Sequence, residues 1–134
     1  MFSLTLVTPL KKIVEKASVK EVLIPAYKGE IEILPGHAPL ITTLSAGVLC
    51  YKPNNGTQDV RVAISWGYCE VTAAGEINVL AETAEAQSEL NLERAEKARE
   101  QALANMAKAD YDSFEKYRRK FERSEARIKT IKGH

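Results

Sequence analysis

The feature that most constrains the fold is a change in residue usage near Ala84. From Ala84 to Lys132 the chain has no glycine and no proline, and alanine, glutamate, lysine and arginine dominate. This composition is typical of helices, because these residues have high helix propensity and nothing interrupts the hydrogen-bond ladder. The sequence therefore predicts two parts, a strand domain over residues 1–84 and a helical domain over residues 85–134.

The first part has the pattern of short β-strands. Apolar and polar residues alternate in residues 2–6, 30–33, 60–66 and 76–79, as expected for strands with one buried face. Turn sequences such as Asn55-Gly56 separate the runs, and the crossover helices that a parallel sheet needs are missing. The predicted fold class is α+β: an N-terminal antiparallel β-sandwich of roughly eight to ten strands, then a C-terminal two-helix antiparallel hairpin.

The helical part shows two apolar stripes at spacings of three and four residues. The first contains mostly alanine and the second mostly aromatic residues and isoleucine: Leu92, Ala95, Ala98, Ala102, Met106 and Ala109, then Phe114, Tyr117, Phe121, Ile128 and Ile131. Ser88 or Asn91 is suited to cap the first helix, and Asp110 or Asp112 the second. We expect the break between the helices at residues 108–112.

Charge separates along the hairpin. Residues 85–115 carry four basic and eight acidic residues, a net charge of −4, whereas residues 116–132 carry eight basic and two acidic residues, a net charge of +6. Opposite charges favour a folded-back pair of helices. An alanine stripe buries little apolar surface, so we expect a weakly held hairpin that exchanges between docked and released states.

Bulk composition excludes several classes of protein. The apolar fraction of 45% and charged fraction of 28% are typical of a globular fold, and a net charge of +1 does not favour nucleic acid. Cys50 and Cys69 lie in strand-like segments and are interpreted as buried thiols. A disulfide is the alternative, but no secretory signal is seen. With no membrane-spanning apolar run, a soluble, cytoplasmic chain that meets a membrane only through a partner is expected.

The stretch from Gly29 to Leu40 contains two glycines and two prolines, which predict a rigid turn between strands. His37 in this turn is interpreted as a structural contact. A metal site is not expected, because the second histidine, His134, is terminal and the cysteines lack metal-binding spacing. No nucleophile elbow or phosphate-binding glycine loop occurs, and Glu30 and Glu32 suit a solvated strand face. The chain is therefore predicted not to be an enzyme.

A basic cluster lies on the second helix. Three interpretations stay open for it: a solvated helix face, a contact with an acidic protein surface, or a site for a nucleotide phosphate. Nucleic acid is disfavoured by the near-neutral chain. The cluster comprises Lys116, Arg118, Arg119, Lys120, Arg123, Arg127 and Lys129.

Ordered motifs along the whole chain resemble the epsilon subunit of F-type ATP synthases, in particular of bacteria. They are Val7-Thr8-Pro9, the Gly-Glu-Ile-Glu-Ile-Leu-Pro-Gly-His-Ala-Pro-Leu stretch, Ser45-Ala46-Gly47-Val48-Leu49, Val79-Leu80-Ala81-Glu82-Thr83-Ala84 and Leu90-Asn91-Leu92-Glu93-Arg94-Ala95. This resemblance implies a non-catalytic rotor subunit of the central stalk that links the gamma shaft to the c-ring during proton-driven ATP synthesis.

The resemblance also implies contact sites. The c-ring is expected to meet the loop Tyr27, Lys28, Gly29 and Glu30. The gamma subunit and the ring are expected near the turn Pro35, Gly36, His37, Ala38 and Pro39 and the strand faces beside it. The implied location is peripheral, on the cytoplasmic face of the bacterial inner membrane, held there by partner subunits.

In the family, the hairpin folds on the sandwich or extends along gamma into the alpha/beta hexamer, where it impedes ATP hydrolysis. Lys116, Arg118, Arg119, Lys120, Arg123 and Arg127 would then meet acidic residues of a catalytic subunit. Some members bind regulatory ATP through a motif with an aspartate where this chain has Asn91. Here Asn91, Arg94, Arg123 and Arg127 are the candidate nucleotide ligands, and no other cofactor is implied. A stand-alone ATP-binding sensor module is the alternative function.

Overall fold

A computed structural model describes residues 2–56 and 58–133. The predicted sandwich followed by a helical hairpin is confirmed, and His134 lies outside the described residues. A short 3₁₀ turn, Gln87–Glu89, joins the strands to α1 (Leu92–Lys108) and α2 (Tyr111–Lys132). The nine strands described are β1 (Ser3–Val7), β2 (Lys12–Ala26), β3 (Gly29–Ile33), β4 (Leu40–Leu44), β5 (Gly47–Pro53), β6 (Val60–Ile64), β7 (Gly67–Val71), β8 (Glu76–Ala81) and β9 (Ala84–Ala86).

The long strand β2 belongs to both layers of the sandwich. Its first half pairs with β1, and its second half pairs with β3 and β5. One layer continues from β1 through β8 and β7 to β4, and the other from β5 through β6 to β9. Leu44 at the end of β4 pairs with Ala26 at the end of β2, so the first layer closes into a flattened barrel.

One strand pair departs from the antiparallel pattern. β1 runs parallel to β8, with Leu4 opposite Ile77 and Leu6 opposite Val79. No crossover helix is needed, because the six intervening strands carry the chain from the end of β1 to the start of β8. A sequence without helices between strands thus still accommodates one parallel pair.

The core lies between the strand layers. It consists of aliphatic side chains at alternate strand positions, with Leu4, Leu6, Val22, Ile24, Ile33, Leu49 and Ile77 fully buried. Ala84 is the last residue of this cluster along the chain. None of its members comes from the helices, so the hairpin lies outside the main core.

The helix boundaries follow the capping signals. The side chain of Asn91 accepts a hydrogen bond from the Arg94 N–H, and that of Asp110 accepts one from the Ser113 N–H. Gly133 ends α2 with a φ of 83°, a left-handed conformation that glycine adopts without strain. Of the alternatives in the sequence, Asn91 and Asp110 are the residues that cap the two helices.

The two helices differ in what they contact. α1 packs mainly against α2, and α2 packs against both α1 and the strands β5 and β6. Ser124, Ala126, Ile128 and Thr130 of α2 are buried. Residues two positions apart lie on opposite faces of a helix, so both faces of the C-terminal half of α2 are covered.

This burial corrects the single apolar stripe predicted for α2. Phe114 at its N-terminal end is 41% exposed. Ser124 and Thr130, which the stripe omitted, are buried, and their hydroxyls donate to carbonyls one turn earlier, those of Lys120 and Ala126. Small polar residues that satisfy themselves in this way fit between a helix and a sheet.

Within the part of the chain that the structure describes, neither helix combines the length and apolar character required to cross a bilayer.

Candidate functional site

Residues 27–30 form an exposed tight turn, the β2–β3 turn, with two residues at its tip. Ala26 of β2 pairs with Gly29 of β3, so Tyr27 and Lys28 form the tip. Gly29 has a φ of 130°, which favours glycine. Tyr27 is 75% exposed, and Lys28, Gly29 and Glu30 are exposed as well. The β2–β3 turn therefore presents an aromatic ring and two opposite charges at one end of β3.

The turn of residues 35–39 lies at the other end of β3. The His37 N–H donates to the Leu34 carbonyl at 3.0 Å, and Gly36 has a φ of 88°. His37 Nδ1 lies 2.7 Å from the Ala38 carbonyl, which only accepts, so Nδ1 carries the proton. The five residues of β3, about 17 Å long, run from the tip at Tyr27 and Lys28 to this turn. The two predicted contact sites are thus distinct surfaces.

His37 plays the structural part predicted for it, holding its own turn. No group of three or more potential metal-binding side chains is found among residues 2–56 and 58–133.

An exposed sheet face lies next to this turn, where strand faces were expected but their residues were not named. Ile41 of β4 is 74% exposed and Tyr68 of β7 is 50% exposed. The ladder pairs Ile41 with Glu70 and Thr43 with Tyr68, which places all four side chains on one face. The signal was available: Leu40 and Leu44 point inward, so alternation directs Ile41 outward.

Five residues of the basic cluster of α2 form two groups. In the first group, Arg118 forms ion pairs with Glu115 and Glu122 on the same helix. The hydrogen bond to Arg118 lowers the pKa of Glu115. The ammonium groups of Lys116 and Lys120 lie 5.6 and 5.7 Å from the Tyr117 ring centre.

The second group binds the sandwich. Arg119 Nη2 lies 3.0 Å from Glu82 Oε2, and the Arg119 guanidinium carbon lies 4.0 Å from the Trp66 ring centre. Arg127 Nε donates to Glu85 Oε1 at 2.7 Å. Two of the predicted inhibitory residues are therefore occupied by carboxylates just before and within β9. Sequence reasoning missed Trp66, Glu82 and Glu85 because nothing local indicates that they face α2.

The charge attraction predicted between the helices takes a different form. Among the described residues, the ion pair that joins them is Arg99 of α1 with Glu125 of α2, at 3.4 Å. The basic partner is on the acidic helix and the acidic partner on the basic one. The basic excess of α2 is directed to its own carboxylates and to the sandwich instead.

A small cavity of about 310 Å³ brings three of the four candidate nucleotide ligands together. Asn91, Arg94 and Arg127 line it with Glu85 and Glu89, whereas Arg123 is not part of the lining. The side chain of Asn91 already accepts the Arg94 N–H at 3.0 Å. Two carboxylates offset the two guanidinium groups, so the cavity has no excess positive charge for phosphates.

The two cysteines are free thiols. Burial, with a smaller contribution from Glu70, raises the pKa of Cys69 to about 12. Burial and the neighbouring Asp59 raise the pKa of Cys50, which is half-buried. Neither thiol has the depressed pKa of a reactive cysteine.

The comparisons with known proteins decide the family. The family model for the beta-sandwich domain of the ATP synthase delta/epsilon chain matches residues 1–87. An ATP synthase epsilon chain from Trichlorobacter lovleyi is 41% identical over 128 residues, which are 93% of this chain and 89% of that protein. The chain belongs to the ATP synthase epsilon-chain family. Its place in that family is that of a subunit without catalysis of its own.

Other similarities to the epsilon family agree. An epsilon chain from Bdellovibrio bacteriovorus is 49% identical over 90 residues, which are 67% of this chain and 64% of that protein. A chain of the Euglena gracilis mitochondrial ATP synthase, solved with its F1 part and c-ring, superposes with a TM-score of 0.87. It is 24% identical, and the match covers 99% of this chain and 81% of that one. This likeness shows that the two chains share one fold, a sandwich followed by a helical hairpin.

Proposed function

We propose that the chain is a rotor subunit of the central stalk, which joins the gamma shaft to the c-ring during proton-driven ATP synthesis. Membership of the epsilon-chain family, with matched sequence over 93% of the chain, carries this proposal. The sandwich suits a connecting role because two separate exposed surfaces project from one closed, tightly packed core.

The β2–β3 turn, residues 27–30, is the proposed c-ring contact. Its tip carries Tyr27 and Lys28, and Glu30 follows in β3. A ring of identical subunits presents repeated polar loops, and a short turn with an aromatic ring and both charges forms mixed contacts with such loops. The positive φ at Gly29 allows the chain to reverse direction within two residues.

The gamma contact is proposed for residues 35–39 together with the exposed face of β4 and β7. Ile41 and Tyr68 expose apolar surface there, and exposed apolar side chains grouped beside a rigid turn are typical of a protein interface. The face is on the layer opposite β5 and β6, which carry α2. At its edge, Thr43 lines a pocket with Arg119 of α2, so the docked helical hairpin borders the proposed gamma contact.

The helical hairpin of α1 and α2 is proposed to act as a conditional brake. In the structure it is folded on the sandwich, and its buried residues are two alanines of α1 and Ser124, Ala126, Ile128 and Thr130 of α2. Released, it would extend along gamma into the alpha/beta hexamer and place its basic residues against acidic residues of a catalytic subunit. Two separate conformations of one element are a common basis for such regulation.

We also propose a location on the cytoplasmic face of the bacterial inner membrane, held there by partner subunits. The near-neutral charge of the chain gives no reason to expect nucleic acid as a partner.

A matched pair of variants tests the proposed role. Ile41→Asp places a charge on the proposed gamma face, and Leu103→Asp makes the same change on α1, where Leu103 is 55% exposed. Pull-down with purified gamma should be weakened by Ile41→Asp and not by Leu103→Asp. Native protein that fails to bind gamma would end the proposal. In the assembled enzyme, removing residues 90–134 should leave gamma binding intact and raise ATP hydrolysis.

A second candidate, a stand-alone ATP sensor, is favoured by the meeting of Asn91, Arg94 and Arg127 in one cavity. Its balanced charge argues for weak binding at most. Calorimetry with Mg-ATP on the isolated chain tests it. Micromolar binding lost in Arg127→Gln would support a sensor, whereas no heat at millimolar ATP would exclude it.

A further inference from the structure

Two residues at the end of the sandwich form a prepared site for a guanidinium group. Trp66 follows β6, and Glu82 follows β8. The Glu82 N–H donates to the Trp66 carbonyl at 2.8 Å, and the Ser65 N–H donates to the Thr83 carbonyl at 3.0 Å. The ring and the carboxylate are thus held side by side by backbone hydrogen bonds.

Further contacts make this corner rigid. Ser65 is buried, and its hydroxyl oxygen accepts the Thr83 N–H at 2.8 Å and lies 2.8 Å from the Thr83 hydroxyl. At Gly67, an added Cβ would lie 1.9 Å from the Leu80 carbonyl oxygen. The two chain segments therefore approach as closely as a glycine allows, and the site does not need the helix to assemble it.

Arg119 of α2 fills this site. Its guanidinium lies over the Trp66 ring at 4.0 Å and reaches Glu82 at 3.0 Å. A planar guanidinium suits this arrangement, because it stacks on an indole face and still donates in its own plane to a carboxylate. A lysine ammonium would provide the charge without the stacking.

We propose that Trp66 and Glu82 form a docking site that withholds Arg119 from any other acidic partner while the hairpin is folded. The Arg127–Glu85 pair acts in the same sense about two helical turns further along α2. The proposal rests on the proposed function in one respect, the acidic surface that the released helix meets. Docking and braking use the same guanidinium group, that of Arg119, so they exclude each other chemically as well as sterically.

The first experiment uses the isolated full-length chain. Glu82→Gln removes the carboxylate and leaves α2 unchanged, and Glu76→Gln is the matched control, an exposed sandwich carboxylate. Hydrogen exchange over residues 111–132 should be about two- to fivefold faster in Glu82→Gln, as expected for one partly exposed ion pair. Equal exchange in Glu82→Gln and Glu76→Gln would overturn the proposal.

Trp66, the one tryptophan of the chain, supplies a second readout. Its emission in native protein should shift to longer wavelength between low salt and about 1 M NaCl, where screening reaches about 3 Å. Arg119→Gln should already show that shift at low salt, and Lys120→Gln, the adjacent charge, should not. A Trp66 emission that is unaffected by Arg119→Gln would contradict the contact.

The assembled enzyme separates a shared guanidinium from a purely steric latch. Glu82→Gln and Arg119→Lys should both lower ATP hydrolysis, because the hairpin is released with its charge intact. Arg119→Gln should raise hydrolysis relative to these two variants, because release then comes with loss of the braking contact. A fall as large in Arg119→Gln as in Glu82→Gln would overturn the shared-group claim. If gamma binding fails while the exchange result holds, the proposed function fails and the docking site stands.

Discussion

The sandwich and the hairpin are held together by different means. The sandwich buries large aliphatic side chains such as Leu4, Ile24 and Leu49 completely, and each contributes about 1.5–3 kcal/mol. In the helices, the apolar residues classed as buried are Ala95, Ala102, Ala126 and Ile128, and an alanine methyl contributes less than about 1 kcal/mol. The ion pairs Arg119–Glu82 and Arg127–Glu85 and hydrogen bonds from Arg61 and Gln87 to the last turns of α2 add to the attachment. The ion pairs are screened by salt.

This difference teaches how one short chain combines a permanent part with a movable one. Burial of aliphatic surface is insensitive to a partner's charge, whereas ion pairs exchange readily for equivalent ion pairs elsewhere. The hairpin is thus attached by the kind of contact that an acidic partner surface can replace.

The same substitution should have different consequences in the two regions. Ile77→Ala in the core should lower the free energy of unfolding of the sandwich by about 2–5 kcal/mol, as cavities in tight cores do. Ile128→Ala on α2 should leave the urea midpoint of the sandwich almost unchanged and accelerate hydrogen exchange in α2. Equal loss of sandwich stability in both variants would show that the helical hairpin shares the core of the sandwich.

Thiol labelling should separate the two cysteines. With a pKa of about 12, the thiolate fraction of Cys69 at pH 8 is about three orders of magnitude below that of an ordinary thiol. Cys50 borders a cavity of about 560 Å³ that Lys129 and Gly133 also line, so removing residues 90–134 should speed its labelling. Mass spectrometry of alkylated native protein checks both. Rapid labelling of Cys69 in folded protein would contradict the rigid sandwich.

The cap of α1 should matter locally. Asn91→Ala removes the acceptor for the Arg94 N–H, which lies 3.0 Å away, at a cost of about 1 kcal/mol. Amide exchange in the first turn of α1 should increase by about fivefold. Asn91→Asp keeps an acceptor and adds a charge that favours a helix N-terminus, so it should preserve protection. A change in sandwich stability in either variant would not fit.

The smallest effect concerns acid pH. Hydrogen bonds from Ser113 lower the pKa of Asp110. A lowered pKa in the folded chain contributes stability that is present above the ordinary pKa of about 4 and is lost as pH falls through the folded value. The start of α2 should therefore fray below about pH 4, seen as faster exchange of the Ser113 amide, while the sandwich keeps its structure. Asp110→Asn should remove this pH dependence.

Much of the fold could be predicted because its causes are local. Period-two alternation and the uninterrupted helical composition each act over a few residues. The Asn55-Gly56 sequence does separate β5 from β6, but neither residue has the positive φ of the predicted tight hairpin. The cap positions at Asn91 and Asp110 follow from side chains that bind their own backbone. The parallel pairing of β1 with β8 could not be predicted, since it joins residues such as Leu4 and Ile77 that are far apart in sequence.

The candidate site shows the same limit. The sequence singled out the cations of α2 but not their partners, because Arg119 and Glu82 are 37 residues apart and Arg127 and Glu85 are 42 apart. It also predicted one apolar stripe where Ser124 and Thr130 reveal two covered faces. Which surface a helix meets depends on the path of the whole chain. The residue pattern of the helix does not determine that path.

The long strand β2 has a mechanical consequence. It runs for 15 residues with a bulge at Lys16, where φ is 46° and the pairing register shifts, and it ends at the exposed tip formed by Tyr27 and Lys28. A pull on that tip along the strand loads many neighbouring hydrogen bonds in shear, all at once, instead of opening them one by one. Stretching single molecules from Lys28 should therefore meet high resistance until the whole ladder gives way in one step.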